Sequence, residues 1–179
     1  MSRKRLATVW LGGCSGCHMS FLDMDERLLE VAKLADIVKS PIVDRKEFPE
    51  CDVVLVEGGI SNHEQVRDIQ VIRQRSKFLV SFGDCAVTSN VLMVRMRFTK
   101  DECLRRSYLE AESNVDGHIP TDPNVPKLIE RVAPLHEHVK VDYFLPGCPP
   151  SPDLIFHITS ELLQDRIPAL DLGGVTRYG

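Results

Sequence analysis

The sequence predicts an α/β fold: a single domain built on a doubly wound parallel sheet. Three observations carry that expectation. Short apolar runs recur at Leu6–Leu11, Asp52–Glu57, Lys77–Phe82 and Val139–Leu145. Stretches of helical periodicity separate them. Loops holding glycine follow the ends of the runs. Strands alternating with helices argue for parallel pairing, joined by right-handed crossovers.

The elements follow in order. Leu6–Leu11 reads as the first strand. Met19–Ala35 reads as one helix: Phe21, Leu22, Leu28, Leu29, Val31, Ala32 and Leu34 are its apolar positions, and Asp23, Asp25 and Glu26 suit its early turns,. A short extended piece over Ile37–Val43 is broken by Pro41. Asp52–Glu57 is a strand closed by Gly58-Gly59. Asn62–Arg75 is a helix capped by Asn62. Lys77–Phe82 is the next strand. The middle is irregular: a helix over Val87–Arg97, a charged helical stretch over Thr99–Glu112, a Pro- and Asp-rich loop over Ser113–Pro126, and a short helix over Lys127–Val132. Val139–Leu145 is the last strand and Pro152–Gln164 the last helix. Residues 1–179 form one domain on this reading, with a core over about 4–164 and an irregular tail over 165–179 packed on a neighbouring chain.

The chain has 179 residues, 43% hydrophobic and 27% charged, with a net charge of −4. That length suits one domain. No basic block invites nucleic acid, and no apolar run is long enough to span a membrane. Ser2-Arg3-Lys4-Arg5 before Leu6–Leu11 imitates a signal peptide, but the apolar stretch is at or below signal-core length. Six cysteines without a signal argue for the cytoplasm, where clustered cysteines serve metals or catalysis rather than disulfides,.

Four of those cysteines stand just past strand ends. Cys14 and Cys17 follow the first strand as Gly-Gly-Cys-Ser-Gly-Cys, Cys85 follows the third as Gly-Asp-Cys, and Cys148 follows the last as Pro-Gly-Cys-Pro-Pro. In a parallel sheet such loops gather at one edge, where open α/β sheets bind ligands. Four thiolates there suit an iron–sulfur cluster. Zinc, or a redox pair at Cys14-x-x-Cys17, remains a competing reading of the same residues. Glu57 ends its strand at that edge, either as a capped or solvated carboxylate or as one near the cluster that passes protons or biases its redox state. Cys51 opens its strand and so belongs to the opposite edge. Cys51 and Cys103 read as structural thiols. His18 reads as solvent-facing or as lying behind the ligands, and His136 and His138 as surface. No Ser/His/Asp arrangement, Walker loop or dinucleotide fingerprint is present.

Taken together, Cys14-Ser-Gly-Cys17, Glu57-Gly58, Gly83-Asp-Cys85 and Gly147-Cys-Pro-Pro150 resemble the small subunit of nickel–iron hydrogenases. Cys17-His-Met-Ser-Phe-Leu-Asp-Met-Asp-Glu-Arg-Leu28 resembles that subunit in the soluble NAD-reducing hydrogenases. The resemblance implies a flavodoxin-like fold. It implies one proximal [4Fe-4S] cluster held by Cys14, Cys17, Cys85 and Cys148, with Glu57 as a nearby carboxylate of possible proton-relay use. It also implies H2 cleavage at a nickel–iron centre in a separate large subunit, and iron–sulfur and flavin diaphorase subunits carrying FMN and reducing NAD+. Respiratory members add a C-terminal extension with further ligands. This chain ends about thirty residues past Cys148, so a single cluster is expected. The alternatives are the cluster subunit of a complex I-like oxidoreductase, which typically has two adjacent cysteines where this chain has Cys14-x-x-Cys17, another cytoplasmic hydrogenase with a different acceptor, a zinc-stabilised interaction module, and a flavin at the same edge.

Overall fold

The computed structural model describes residues 3–168. Five strands form one parallel sheet: β1 (Lys4–Trp10), β2 (Ala35–Lys39), β3 (Cys51–Glu57), β5 (Ser76–Phe82) and β7 (Tyr143–Leu145), in the order β2-β1-β3-β5-β7. This is the flavodoxin-like doubly wound order, which reverses direction between β1 and β3. A separate antiparallel pair joins β4 (Ile60–Asn62) to β6 (Leu128–Ala133).

The central strands are apolar on both faces because both faces are covered. In β3, Val53 and Leu55 enter one core and Val54 and Val56 the other, and all four are buried. The first core packs α1 (Gly16–Leu22), α2 (Arg27–Leu34) and α6 (Pro152–Leu163) through Phe21, Met24, Val31, Leu154, Ile155 and Ile158. The second packs α3 (His63–Arg75) through Ile69 and Ile72, with Ile60 and Leu135 beside them. Covering both faces of this order sends the helices after β1 and β3 to opposite sides, which puts the switch point of the fold at the C-terminal ends of those strands,.

Several expected elements hold with small shifts at their ends. Asn62 caps α3, its side chain accepting from the Gln65 N–H at 2.8 Å. Ser151 caps α6, with Pro152 in its first turn. Others are corrected. The single helix expected over Met19–Ala35 is two helices parted at Asp23–Glu26, because Asp25 turns left-handed (φ 51°), a conformation aspartate tolerates,. The acidic residues lead into the second helix rather than the first. The helix expected over Val87–Arg97 is α4 (Asp84–Thr88) followed by a 3₁₀ stretch, Asn90–Arg97, broken where Ser89 and Asn90 take positive φ. The charged stretch narrows to α5 (Lys100–Tyr108), held by a Thr99–Glu102 capping box,. The short helix expected over Lys127–Val132 is strand β6, because pairing with β4 satisfies its backbone,. The last strand is shorter than expected and begins only at Tyr143. Just before it, the Asp142 side chain accepts from the Leu79 N–H at 2.8 Å and from Arg73. The tail expected over 165–179 lies mostly outside the described residues; Asp165–Pro168 carry no helix or strand. Among the described residues, no helix is long and apolar enough to cross a membrane.

Candidate metal centre

All four sheet pairings are parallel, so β1, β3, β5 and β7 finish at one edge. The loops that follow are tied to one another by backbone. Gly12 and Gly59 exchange two N–H···O bonds of 3.0 and 2.8 Å, joining the loop after β1 to that after β3. A Cβ on Gly58 (φ +91°) would meet the Gly12 carbonyl oxygen at 2.5 Å, so only glycine admits this approach,. The loops after β5 and β7 are joined next. The Gly83 N–H donates to the Leu145 carbonyl at 2.8 Å and the Asp84 N–H to the Gly147 carbonyl at 2.9 Å. The Gly147 N–H donates back to the Asp84 carboxylate at 2.7 Å. Finally the buried Ser20 hydroxyl donates to the Pro150 carbonyl at 2.6 Å, fastening α1 to the loop that carries Cys148.

These ties bring together what the sequence places far apart. Cys17, in the first turn of α1, and Cys85, in that of α4, are buried; Cys14 and Cys148 are exposed. A Cβ on Gly83 would lie 2.1 Å from the Cys17 sulfur. Gly83 also adopts φ 81° and ψ 164°, a region essentially reserved to glycine,. The glycine is thus required twice over, once by conformation and once by the sulfur beside it. Burial is the main cause that pushes the Cys17 thiol far above its ordinary range. Glu57, Cys85, Cys14 and Cys148 act on it in the same direction. Burial also raises Cys85, followed by Cys14 and Cys148, against a smaller opposing contribution from the Val91 backbone. Every charged or thiol neighbour acting on Cys17 is therefore an anion or another thiol.

Glu57 is almost wholly enclosed, with 1% exposure. Its Oε2 accepts from the His18 backbone N–H at 3.0 Å and lies 2.5 Å from the His18 Nδ1. The expectation that Glu57 reaches the cysteine edge is met. The carboxylate is not solvated; it accepts an N–H from the first turn of α1, as the capped reading has it, and it also stands among the groups that act on Cys17. Cys51 opens β3 at the far edge, opposite Ser76, and Cys103 lies half-buried in α5. Cys51 thus stands at the opposite edge of the sheet from the quartet.

Two residues of the site were not anticipated in these roles. Asp84 binds two loops together, and the only sign of it in the sequence is the Gly-Asp-Cys spacing. His18 lies behind the cysteines, but its bond to Glu57 spans 39 positions, and no local pattern announces it.

The donor chemistry suits an iron–sulfur cluster, which is bound by thiolates. Four thiols gather without a cation among the groups acting on Cys17, and a side chain is excluded next to its sulfur. Among the described residues, no three His, Cys, Asp or Glu side chains are grouped as a single metal ion requires.

Comparisons with known proteins place the chain in a family. The family of the NADH ubiquinone oxidoreductase 20 Kd subunit matches residues 14–162. The delta subunit of the NAD-reducing hydrogenase HoxS of Cupriavidus necator is 40% identical over 166 residues, which cover 90% of this chain and 79% of that one. A subunit of the F420-non-reducing hydrogenase of Methanothermobacter marburgensis is 42% identical over 165 residues, 89% of this chain and 53% of that protein. The chain therefore spans about half the length of that relative. Among solved structures, an NAD+-reducing [NiFe]-hydrogenase in the H2-reduced state matches with a TM-score of 0.95 at 37% identity, over 99% of this chain and 100% of that one. The Ni-Fe-Se hydrogenase of Desulfomicrobium baculatum matches with a TM-score of 0.58 at 20% identity, over 97% of this chain and 69% of that one, and shares the fold alone. The chain belongs to the NADH ubiquinone oxidoreductase 20 Kd subunit family, and within it is a nickel–iron hydrogenase small subunit.

Proposed function

We propose that this chain is the electron-transfer subunit of a cytoplasmic NAD-reducing nickel–iron hydrogenase, with one proximal [4Fe-4S] cluster on Cys14, Cys17, Cys85 and Cys148. The observation that supports it most directly is the gathering of Cys17 and Cys85 with Gly83, whose missing side chain leaves room beside the Cys17 sulfur. Bound there, the cluster supplies one-electron transfer between the nickel–iron centre of a large subunit and the iron–sulfur and flavin diaphorase subunits that carry FMN and reduce NAD+.

The residues of this chain hold and shield. Cys17 and Cys85 anchor the inner side of the site. Cys14 and Cys148 close it toward the surface, where the large subunit excludes water. A tetrahedral zinc needs its donors about 2.0–2.3 Å from one point. Whether one such point or a larger cluster fits is what metal and sulfide analysis decides. Asp84 fixes the two loops bearing Cys85 and Cys148 relative to each other. Glu57 keeps a carboxylate beside Cys17 under the same cover, where it bears on the charge of the site and on proton movement.

The test is purification of the complex followed by iron, nickel and acid-labile sulfide analysis and an assay of H2-driven NADH formation. Four irons assigned to this chain, bleached by dithionite and lost in Cys85→Ser, support the reading. One zinc and no visible absorption overturn it. The similar identity to F420-non-reducing hydrogenase subunits favours, as a second reading, an acceptor other than NAD+; the same assay with ferredoxin or viologen dyes separates the two.

A further inference from the structure

We propose that His18 is the positioning residue for Glu57, and that through this carboxylate it sets the reduction potential at the cysteine site. The inference rests on the cluster reading given above and goes beyond it by naming a residue that acts without touching the metal.

Glu57 ends β3 in near-complete enclosure. A buried carboxylate needs donors. Both donors it has come from one residue. The His18 backbone N–H and ring Nδ1–H converge on the same oxygen, Oε2. The other oxygen, Oε1, lies against the loop carrying Cys14, 3.6 Å from where a Gly13 Cβ would stand. His18 is also the residue directly after Cys17. One dipeptide therefore carries a thiol ligand and the clamp on the neighbouring carboxylate. The orientation of Glu57 and the position of Cys17 are thus fixed by the same turn of α1.

Packing does not explain the imidazole. Its ring stands edge-on to the fully buried Phe82, with centroids 6.1 Å apart at 64°. A phenylalanine would make that contact as well. The imidazole brings instead a buried Nε2 that has no partner among the described residues, and an unmade hydrogen bond of that kind opposes folding. What only the imidazole supplies is Nδ1–H. An N–H at Oε2 offsets part of the carboxylate charge and fixes its distance from Cys17. Net charge and nearby hydrogen bonds are among the factors that set iron–sulfur potentials.

The experiment compares His18→Phe, His18→Asn and Glu57→Gln, alone and combined, in the assembled hydrogenase. Iron and labile sulfide per complex are measured first, then the midpoint potential of the cluster by EPR-monitored titration. His18→Phe is expected to load iron as the parent does and to shift the potential downward, because a positive dipole has left the carboxylate. His18→Asn, whose amide N–H occupies the place of Nδ1–H, is expected to return it to the parental value. With Glu57→Gln already present, His18→Phe is expected to produce no shift, since the two act as one unit. A potential that stays put or rises in His18→Phe overturns the inference. So does an equal fall in the Glu57→Gln background, or a failure of His18→Asn to restore it. If His18→Phe does not load, His18→Asn decides by the same criterion, and loss of iron from both variants overturns the proposal. A parent complex with no iron–sulfur in this chain removes the cluster reading itself, whereas a loaded parent with an unmoved His18→Phe removes only the role given to His18.

Discussion

The two edges of the parallel sheet each bury cysteine thiols, and they surround them differently. Where the strands begin, Cys51 is the first residue of β3, and burial pushes its thiol up to about 12 while Arg5 and Arg73 pull the other way. Beside it the Asp52 carboxylate accepts from the Arg5 N–H at 2.8 Å and from the Lys77 ammonium at 2.6 Å. The charges of that edge are matched in place. Where the strands finish, Cys17 is raised by burial too, but its company is Glu57 and three more thiols. Burial is common to both cysteines and so cannot mark a ligand. What sets the finishing edge apart is like-signed neighbours, a glycine that a sulfur requires, and loops stitched together by backbone bonds.

Substitutions at the two edges break or sharpen that contrast. The largest effect is expected of Cys85→Ser: loss of cluster iron and of H2-dependent NAD+ reduction, with the far-ultraviolet circular dichroism retained. An equal iron loss in Cys51→Ser would erase the distinction between the edges. Gly83→Ala keeps all four cysteines but places a methyl group against the Cys17 sulfur. It should cut iron loading severely and lower stability by on the order of 1–3 kcal/mol from the glycine-only backbone alone, read by metal analysis and thermal melting. Glu57→Gln should leave iron content intact and reduce turnover in the hydrogenase assay; unchanged turnover would confine Glu57 to a structural part. Cys51→Ser should change neither iron nor turnover, while the buried hydroxyl lowers stability by about 1–3 kcal/mol.

The smallest effect is a pH dependence at the beginning edge. Burial alone would raise Asp52, but the Lys77 ammonium and the Arg5 N–H outweigh it and hold the carboxyl below its ordinary value. A depressed folded value contributes stability above the unfolded value of about 3.9, and that contribution disappears as the pH falls through the lower, folded one. The difference in melting temperature between the parent and Asp52→Asn should therefore shrink on acidification from pH 6 to pH 3.

Much of this was legible because the central strands are buried on two faces. A run such as Val53–Val56 has no other sensible place, and parallel pairing then sends every following loop to one edge. Placing the four cysteine-bearing loops at one edge needed only that step. The failures share a different cause. Leu128–Ala133 has a short apolar pattern that suits helix or strand, and its partner β4 is three residues long and some 65 positions earlier. Asp23, Asp25 and Glu26 suited the early turns of one helix, but they lead into the second of two, and nothing local reveals that Asp25 turns left-handed and divides the helix there. The His18–Glu57 bond and the Asp84 bridge are likewise products of the assembled fold.

One asymmetry in the quartet has an architectural consequence. Two of its sulfurs are sunk in the fold while Cys14 and Cys148 stand at the surface. Any inorganic guest must enter past that outer pair, and a partner seated over the rim would bar the doorway. On the proposed reading, the order of loading and docking would follow from where the loops leave that outer pair.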